Sequence, residues 1–191
     1  MNKLILILVG AVLLTSKGMS ASQTDLEKLI EFKKASTMHL DLSHADLRHY
    51  SFSQTKVDLQ QANLSHSNLS GVDLSNMNLG GADLSYADLS QARLNQVNLV
   101  GAKLDHANLT NTELMQSDLS SANLSFATLT GANLQKAIFS KATLVCANLN
   151  QADLSESKFN EANISGATFI NTITTDIVGY HSVIDNKIRC G

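Results

Sequence analysis

Six chemically capable side chains recur at a near-constant interval. His66, Tyr86, His106, Phe126 and Cys146 are spaced by twenty residues, and His44 precedes His66 by twenty-two. Imidazoles can move protons or ligate a metal, aromatic rings make contact surfaces, and a thiol can bond a second thiol. Cys190 offers that second thiol. The remaining polar residues do not converge on a reaction. Asp and Ser are spread evenly rather than gathered beside a base. There is no phosphate-binding loop, zinc-ligand spacing or nucleophile elbow. The chain therefore reads as a non-enzyme, with no catalytic residues, no cofactor, no metal and no small-molecule substrate.

The interval of twenty grows out of a shorter one. Stepping by five from Leu59 to Phe169 gives 23 positions: 19 Leu, three Phe (Phe139, Phe159, Phe169) and Ile164. The residue two before is Ala in 15 of these, and the residue one before is Asp or Asn in 15, so each five has a small, a polar and a large apolar place. Leu42, Leu47 and Phe52 continue the row upstream, displaced by two extra residues placed at Thr55-Lys56. A helix advances about 500° in five residues, which would spiral the Leu row round every face. On a flat strand an odd period would alternate the two faces. Only a chain that turns once per five residues keeps every central residue inside, with the small Ala allowing close backbone approach.

Stretches such as Ala82-Asp83-Leu84-Ser85-Tyr86-Ala87-Asp88-Leu89-Ser90 follow the pattern Ala-Asp/Asn-Leu-x-x. On that pattern, over about residues 40–171, the chain resembles the pentapeptide-repeat family. The resemblance implies an all-β fold, a right-handed quadrilateral β-helix with four pentapeptides per coil. It implies about 6.5 coils and, at ~4.8 Å per coil, a tower ~31 Å tall.

Four pentapeptides per coil would stack residues twenty apart. The outward places, two after each central residue, then form four columns. Three are polar or small, running from Gly71 to Gln151, Asn76 to Glu156 and Gln61 to Lys141. The fourth holds His66, Tyr86, His106, Phe126 and Cys146, and His44 joins it if the insertion only bulges. His44, His66, Tyr86, His106 and Phe126 form a candidate contact stripe for a protein partner or a second copy of the chain. Stacking between neighbouring coils accounts for the same pattern without a partner. A planar ligand or a metal is the third reading, although His66 and His106, two coils or ~10 Å apart, cannot share one ion.

Both ends depart from the repeat. Lys3, the eleven apolar residues Leu4 to Leu14, and the small residues up to Ala21 follow the three-part pattern of a signal peptide, residues 1–21. The apolar run falls short of the ~20 residues a span needs, so no stable membrane span is expected after cleavage. Thr24 and Glu27 form a capping-box pair, and Leu26, Leu29 and Ile30 share one helical face. Residues 22–39 are thus expected to be a short capping helix and linker, ahead of the β-helix at 40–171. Residues 172–191 lose the repeat but keep Ile173, Ile177, Val178, Val183, Ile184 and Ile188, and are expected to cap the other end. An exported chain meets oxidising conditions, so Cys146 and Cys190 are expected to pair. Two unpaired thiols or an intermolecular bond are the alternatives. The bond would draw the C-terminal segment over the column near Phe126.

The chain carries a net charge of −3, and residues 40–171 hold 12 acids against 7 bases. There is no basic footprint, so no nucleic-acid partner is expected. The reading is an exported bacterial protein, periplasmic or secreted, acting as a rigid scaffold or protein-binding rod. Because some pentapeptide-repeat proteins bind DNA gyrase as mimics of duplex DNA, the resemblance implies a second reading. That reading asks for a strong acidic field, here broken by Arg93, Lys103 and Lys141, and for a protein that stays with gyrase.

Overall fold

The computed structural model describes residues 40–52, 57–179 and 190. The signal peptide, the 22–39 helix and linker, the Thr55-Lys56 insertion, and Val183, Ile184 and Ile188 lie outside the described residues.

The chain winds as a four-sided coil. Parallel β-bridges join residues twenty apart on each side: Asp83 to Lys103 on the first, Asp88 to Asn108 on the second, Arg93 to Glu113 on the third and Asn98 to Asp118 on the fourth. Each side contributes a single bridged residue per coil, so the strands are as short as a ladder allows. At the start the offset is twenty-two, between Asp41 and Asn63 and between Asp46 and Asn68. By Gln61, whose N–H donates to the Gly80 carbonyl, the regular register has been reached. The register therefore changes by two between Tyr50 and Gln61, and the ladders are formed on either side.

Each pentapeptide repeats one set of bonds. In the unit centred on Leu84, the Asp83 N–H donates to the Ala62 carbonyl of the preceding coil. The Leu84 and Tyr86 N–H groups donate to the Lys103 and Asp105 carbonyls of the following coil. The Ala87 N–H closes the corner onto the Leu84 carbonyl. The third residue of each such corner has a positive φ, 59° at Tyr86, as a type II turn requires. Twenty non-glycine residues adopt this conformation. Each costs about 1–2 kcal/mol of local strain, so the corners are imposed by the ladders rather than chosen by local preference.

The Asp/Asn place has a backbone role. Asn63, Asp83 and Asn108 each accept a hydrogen bond through Oδ1 from the N–H two residues on, at 3.1, 3.1 and 3.2 Å. This Asx turn satisfies a corner donor that the ladders leave over. Where Glu113 and Thr168 replace Asx, the preceding coil substitutes: Met115 N–H donates to Asn95 Oδ1 at 2.9 Å, and Ile170 N–H to Asn150 Oδ1 at 2.8 Å.

Central residues from Leu59 to Leu154 fill the axis and are wholly buried. Ser67, Thr112 and Ser157 replace Ala inside, and each hydroxyl donates to a backbone carbonyl, at 2.7 Å to Leu64, 2.9 Å to Leu89 and 2.6 Å to Leu154. The ladder runs past residue 171. Ile173 bridges to Asp153 and Val178 to Lys158, because backbone pairing does not need a Leu at the centre. We designate residues 143–162 coil six and 163–179 coil seven. Among the described residues, no helix is long and apolar enough to cross a membrane.

Candidate functional site

The corner between the first and second sides carries the ring column. Its members sit two residues after the central residue of each first-side unit, where the positive φ turns the side chain outward. His44, His66, Tyr86, His106 and Phe126 stack as five rings, with successive centroids 4.7, 4.9, 4.6 and 5.0 Å apart. Interplanar angles are 5° or 6° throughout. His44 joins because Asp41 pairs with Asn63, which keeps the first side in line across the offset of twenty-two.

The geometry narrows the chemistry. The π faces lie against one another, so the column presents ring edges to solvent. Tyr86 and Phe126 remain 51% and 49% exposed. A planar ligand cannot enter the stack, since 4.6–5.0 Å between centroids leaves no room for another ring. His44 and His66 are parallel within 5°, so their in-plane lone pairs do not converge on one ion at the ~2.0–2.1 Å that a metal bond needs. Among the described residues, no group of three or more His, Cys, Asp or Glu is placed to hold a metal ion.

Beyond Phe126 the column continues to Cys146, which is bonded to Cys190 with Cα atoms 5.7 Å apart. The segment expected over the column near Phe126 lies, at 180–189, outside the described residues, and only Cys190 is placed. Its Sγ lies 3.6 Å from the Gly166 carbonyl oxygen, one coil past Cys146, whereas Phe126 is one coil before it. Gly166, at the next place in the column, has no side chain.

The cations near the column are engaged locally. Arg48 meets Asp46 at 2.7 Å, and Lys103 meets Asp83 at 3.0 Å. The Arg48 hydrogen bond holds the Asp46 carboxyl below the usual carboxylate range. At Asp83 burial pushes upward, but the Ser85 hydroxyl and Lys103 hold the carboxyl lower on balance. Elsewhere Arg93 pairs with Glu113 at 3.8 Å, Lys136 with Glu156 at 3.5 Å and Lys141 with Glu161 at 4.0 Å. Each exposed pair contributes at most about 1 kcal/mol. Together they interrupt any continuous acidic surface. Sequence reasoning missed these pairs and Gly166; a spacing of twenty is the signal for Gly166 and for every pair except Arg48 with Asp46, which are two residues apart.

Known proteins carry the same organisation. The description "Pentapeptide repeats" matches in eight copies over residues 58–96, 82–120, 98–135 and 137–173. The chain is similar to the solved structure of HetL, involved in heterocyst differentiation regulation in the cyanobacterium Nostoc sp. strain PCC 7120. That match has 24% identity, covers 84% of this chain and 94% of that one, and has a TM-score of 0.31. It is also similar to alr5209 of Nostoc PCC 7120, at 30% identity over 72% of this chain and 84% of that one, with a TM-score of 0.27. Full-length QnrB1, a plasmid-mediated fluoroquinolone resistance protein, matches at 16% identity over 73% of each chain, with a TM-score of 0.26. No curated protein matches the chain. With the repeat matched across most of the four-sided coil and a central apolar residue every fifth place, the chain belongs to the pentapeptide repeat family.

Proposed function

We propose that this protein is an exported, non-catalytic scaffold that contacts a protein partner through the ring column. The observation that supports the reading is the half-exposure of Tyr86 and Phe126 on a backbone bonded to both neighbouring coils. Rings already held in place lose little conformational entropy on contact, and aromatic side chains supply much of the energy of protein interfaces. The signal pattern at 1–21 and the pairing of Cys146 with Cys190 both favour an oxidising compartment.

Two measurements test the reading. Cell fractionation with N-terminal sequencing should recover a mature chain beginning near Ser22 in an exported fraction; an intact Met1 in the cytosol rejects export. In affinity capture from that fraction, the Tyr86→Ala/Phe126→Ala variant should lose a partner that the wild-type chain retains. Equal retention by the two proteins rejects the contact role. The gyrase reading draws on the net negative charge of residues 40–171, but the ion pairs described above divide that charge. A gyrase assay with a fluoroquinolone should accordingly show no protection.

A further inference from the structure

We propose that the Cys146–Cys190 disulfide is a redox-sensitive clasp that holds coil seven closed. The bond starts on coil six at Cys146 and places Cys190 against the Gly166 carbonyl of coil seven. Gly166 is the one place in this corner column without a side chain, and Cys190 Sγ lies 3.6 Å from its carbonyl oxygen.

Coil seven lacks the support that the other coils have. Its central places fall to Ile164, Phe169, Thr174 and Gly179. The first two are only partly buried, and the last two cannot fill the axis. Its outward places carry Ile170, Ile173 and Val178, which are 64%, 51% and 51% exposed. Apolar residues thus stand both inside and outside this coil, whereas every central residue of coil six is at most 2% exposed. Coil seven is held by backbone bonds in which Leu144, Leu149, Leu154 and Phe159 N–H groups donate to Asn163, Thr168, Ile173 and Val178 carbonyls. With little burial behind them, such bonds open locally at a free-energy cost well below that of global unfolding.

The sulfurs are accessible, with Cys190 exposed and Cys146 partly so. A thiolate of a dithiol reductant attacks Cys190 Sγ, and the S–S bond breaks with its electron pair leaving on Cys146 Sγ, which takes up a proton. The reductant's second thiolate attacks the mixed disulfide and releases Cys190, which is likewise protonated. Two electrons pass to the protein and the reductant ends as a disulfide. The chain then loses a cross-link spanning 44 residues, and coil seven frays from Val178 back toward Asn163. The inner coils, each packed between two others, persist.

Amide hydrogen exchange on the full chain, read by mass spectrometry, tests the clasp. Three samples are compared: the oxidised protein, the protein reduced with dithiothreitol, and Cys190→Ser. Exchange across Leu144 to Phe159 should accelerate at least tenfold in the last two, with Leu84 to Leu124 unchanged. Equal protection in all three samples overturns the proposal. Uniform loosening along the whole tower also overturns it, because the bond would then support the fold at large rather than its last coil.

Discussion

Leu104 and His106 are two residues apart and both recur every twenty, yet they obey different rules. Leu104 is wholly buried, stacked between Leu84 and Leu124 of the adjoining coils. His106 is exposed and stacks between Tyr86 and Phe126. Inside, a narrow axis admits one kind of side chain, and the repeat is nearly invariant. Outside, any residue that tolerates the left-handed corner will serve. Between Gln61 and Asn171 the same places on the other three corners hold Gln, Asn, Gly, Ser, Lys and Glu, and His49 is a single ring before them on a second corner. Uniformity on the axis is therefore a statement about packing, and it carries no functional information. A concentration of rings on one corner of four is not required by packing, and that makes it the informative feature.

This contrast can be broken most forcefully from the inside. Leu104→Ala should lower unfolding stability by about 3 kcal/mol, since a rigid axis collapses poorly around a cavity. Urea denaturation reads the loss, and an unchanged midpoint would contradict a close-packed axis. Tyr86→Ala removes two ring contacts and should cost about 1–2 kcal/mol in the same assay. A loss as large as that of Leu104→Ala would make the column part of the core.

Glycine substitutions sharpen the distinction. Gln91→Gly relieves a left-handed residue whose column neighbours, Gly71 and Asn111, are not rings, and should raise stability by up to about 1 kcal/mol. Tyr86→Gly relieves the same strain but removes a ring, so it should fall below Gln91→Gly. If the two variants match, the stack contributes nothing to stability, and the ring corner is there for contact alone.

Acid should produce the smallest effect. The folded carboxyls of Asp46, Asp73, Asp83 and Asp153 are held below their ordinary values. Their contribution is complete above the unfolded carboxylate pKa of about 3.9 and is lost as pH falls through the lower folded values. Tm should be level from neutral pH to about 5 and decline below about 4. A decline that begins near pH 6 would contradict this assignment to the four carboxyls.

Coil seven shows where sequence reading stops. The loss of the five-residue pattern after Phe169 suggests an end to the coil at 171, but Ile173 and Val178 still bridge to coil six. The pattern records which side chains fill the axis; the ladder is made by backbone groups that every residue carries. For the same reason the Asp/Asn place looks like decoration in the sequence and proves to be a bond to the corner N–H. The ion pairs such as Lys136 with Glu156 join residues remote in the chain, and they become neighbours only once the coil size is known.

The sequence alone determined the period, the apolar axis, and the alignment of His66, Tyr86, His106 and Phe126 on one corner. The period and the axis follow from a turn per five residues, and the alignment on one corner needs in addition the four turns per coil that the family resemblance implies. Tertiary structure decided that the rings lie flat on one another, that His44 keeps its place across the insertion, and that Cys190 Sγ lies beside the Gly166 carbonyl. Those outcomes depend on contacts between coils, where a left-handed corner or a change of register fixes the position of a neighbour twenty or more residues away.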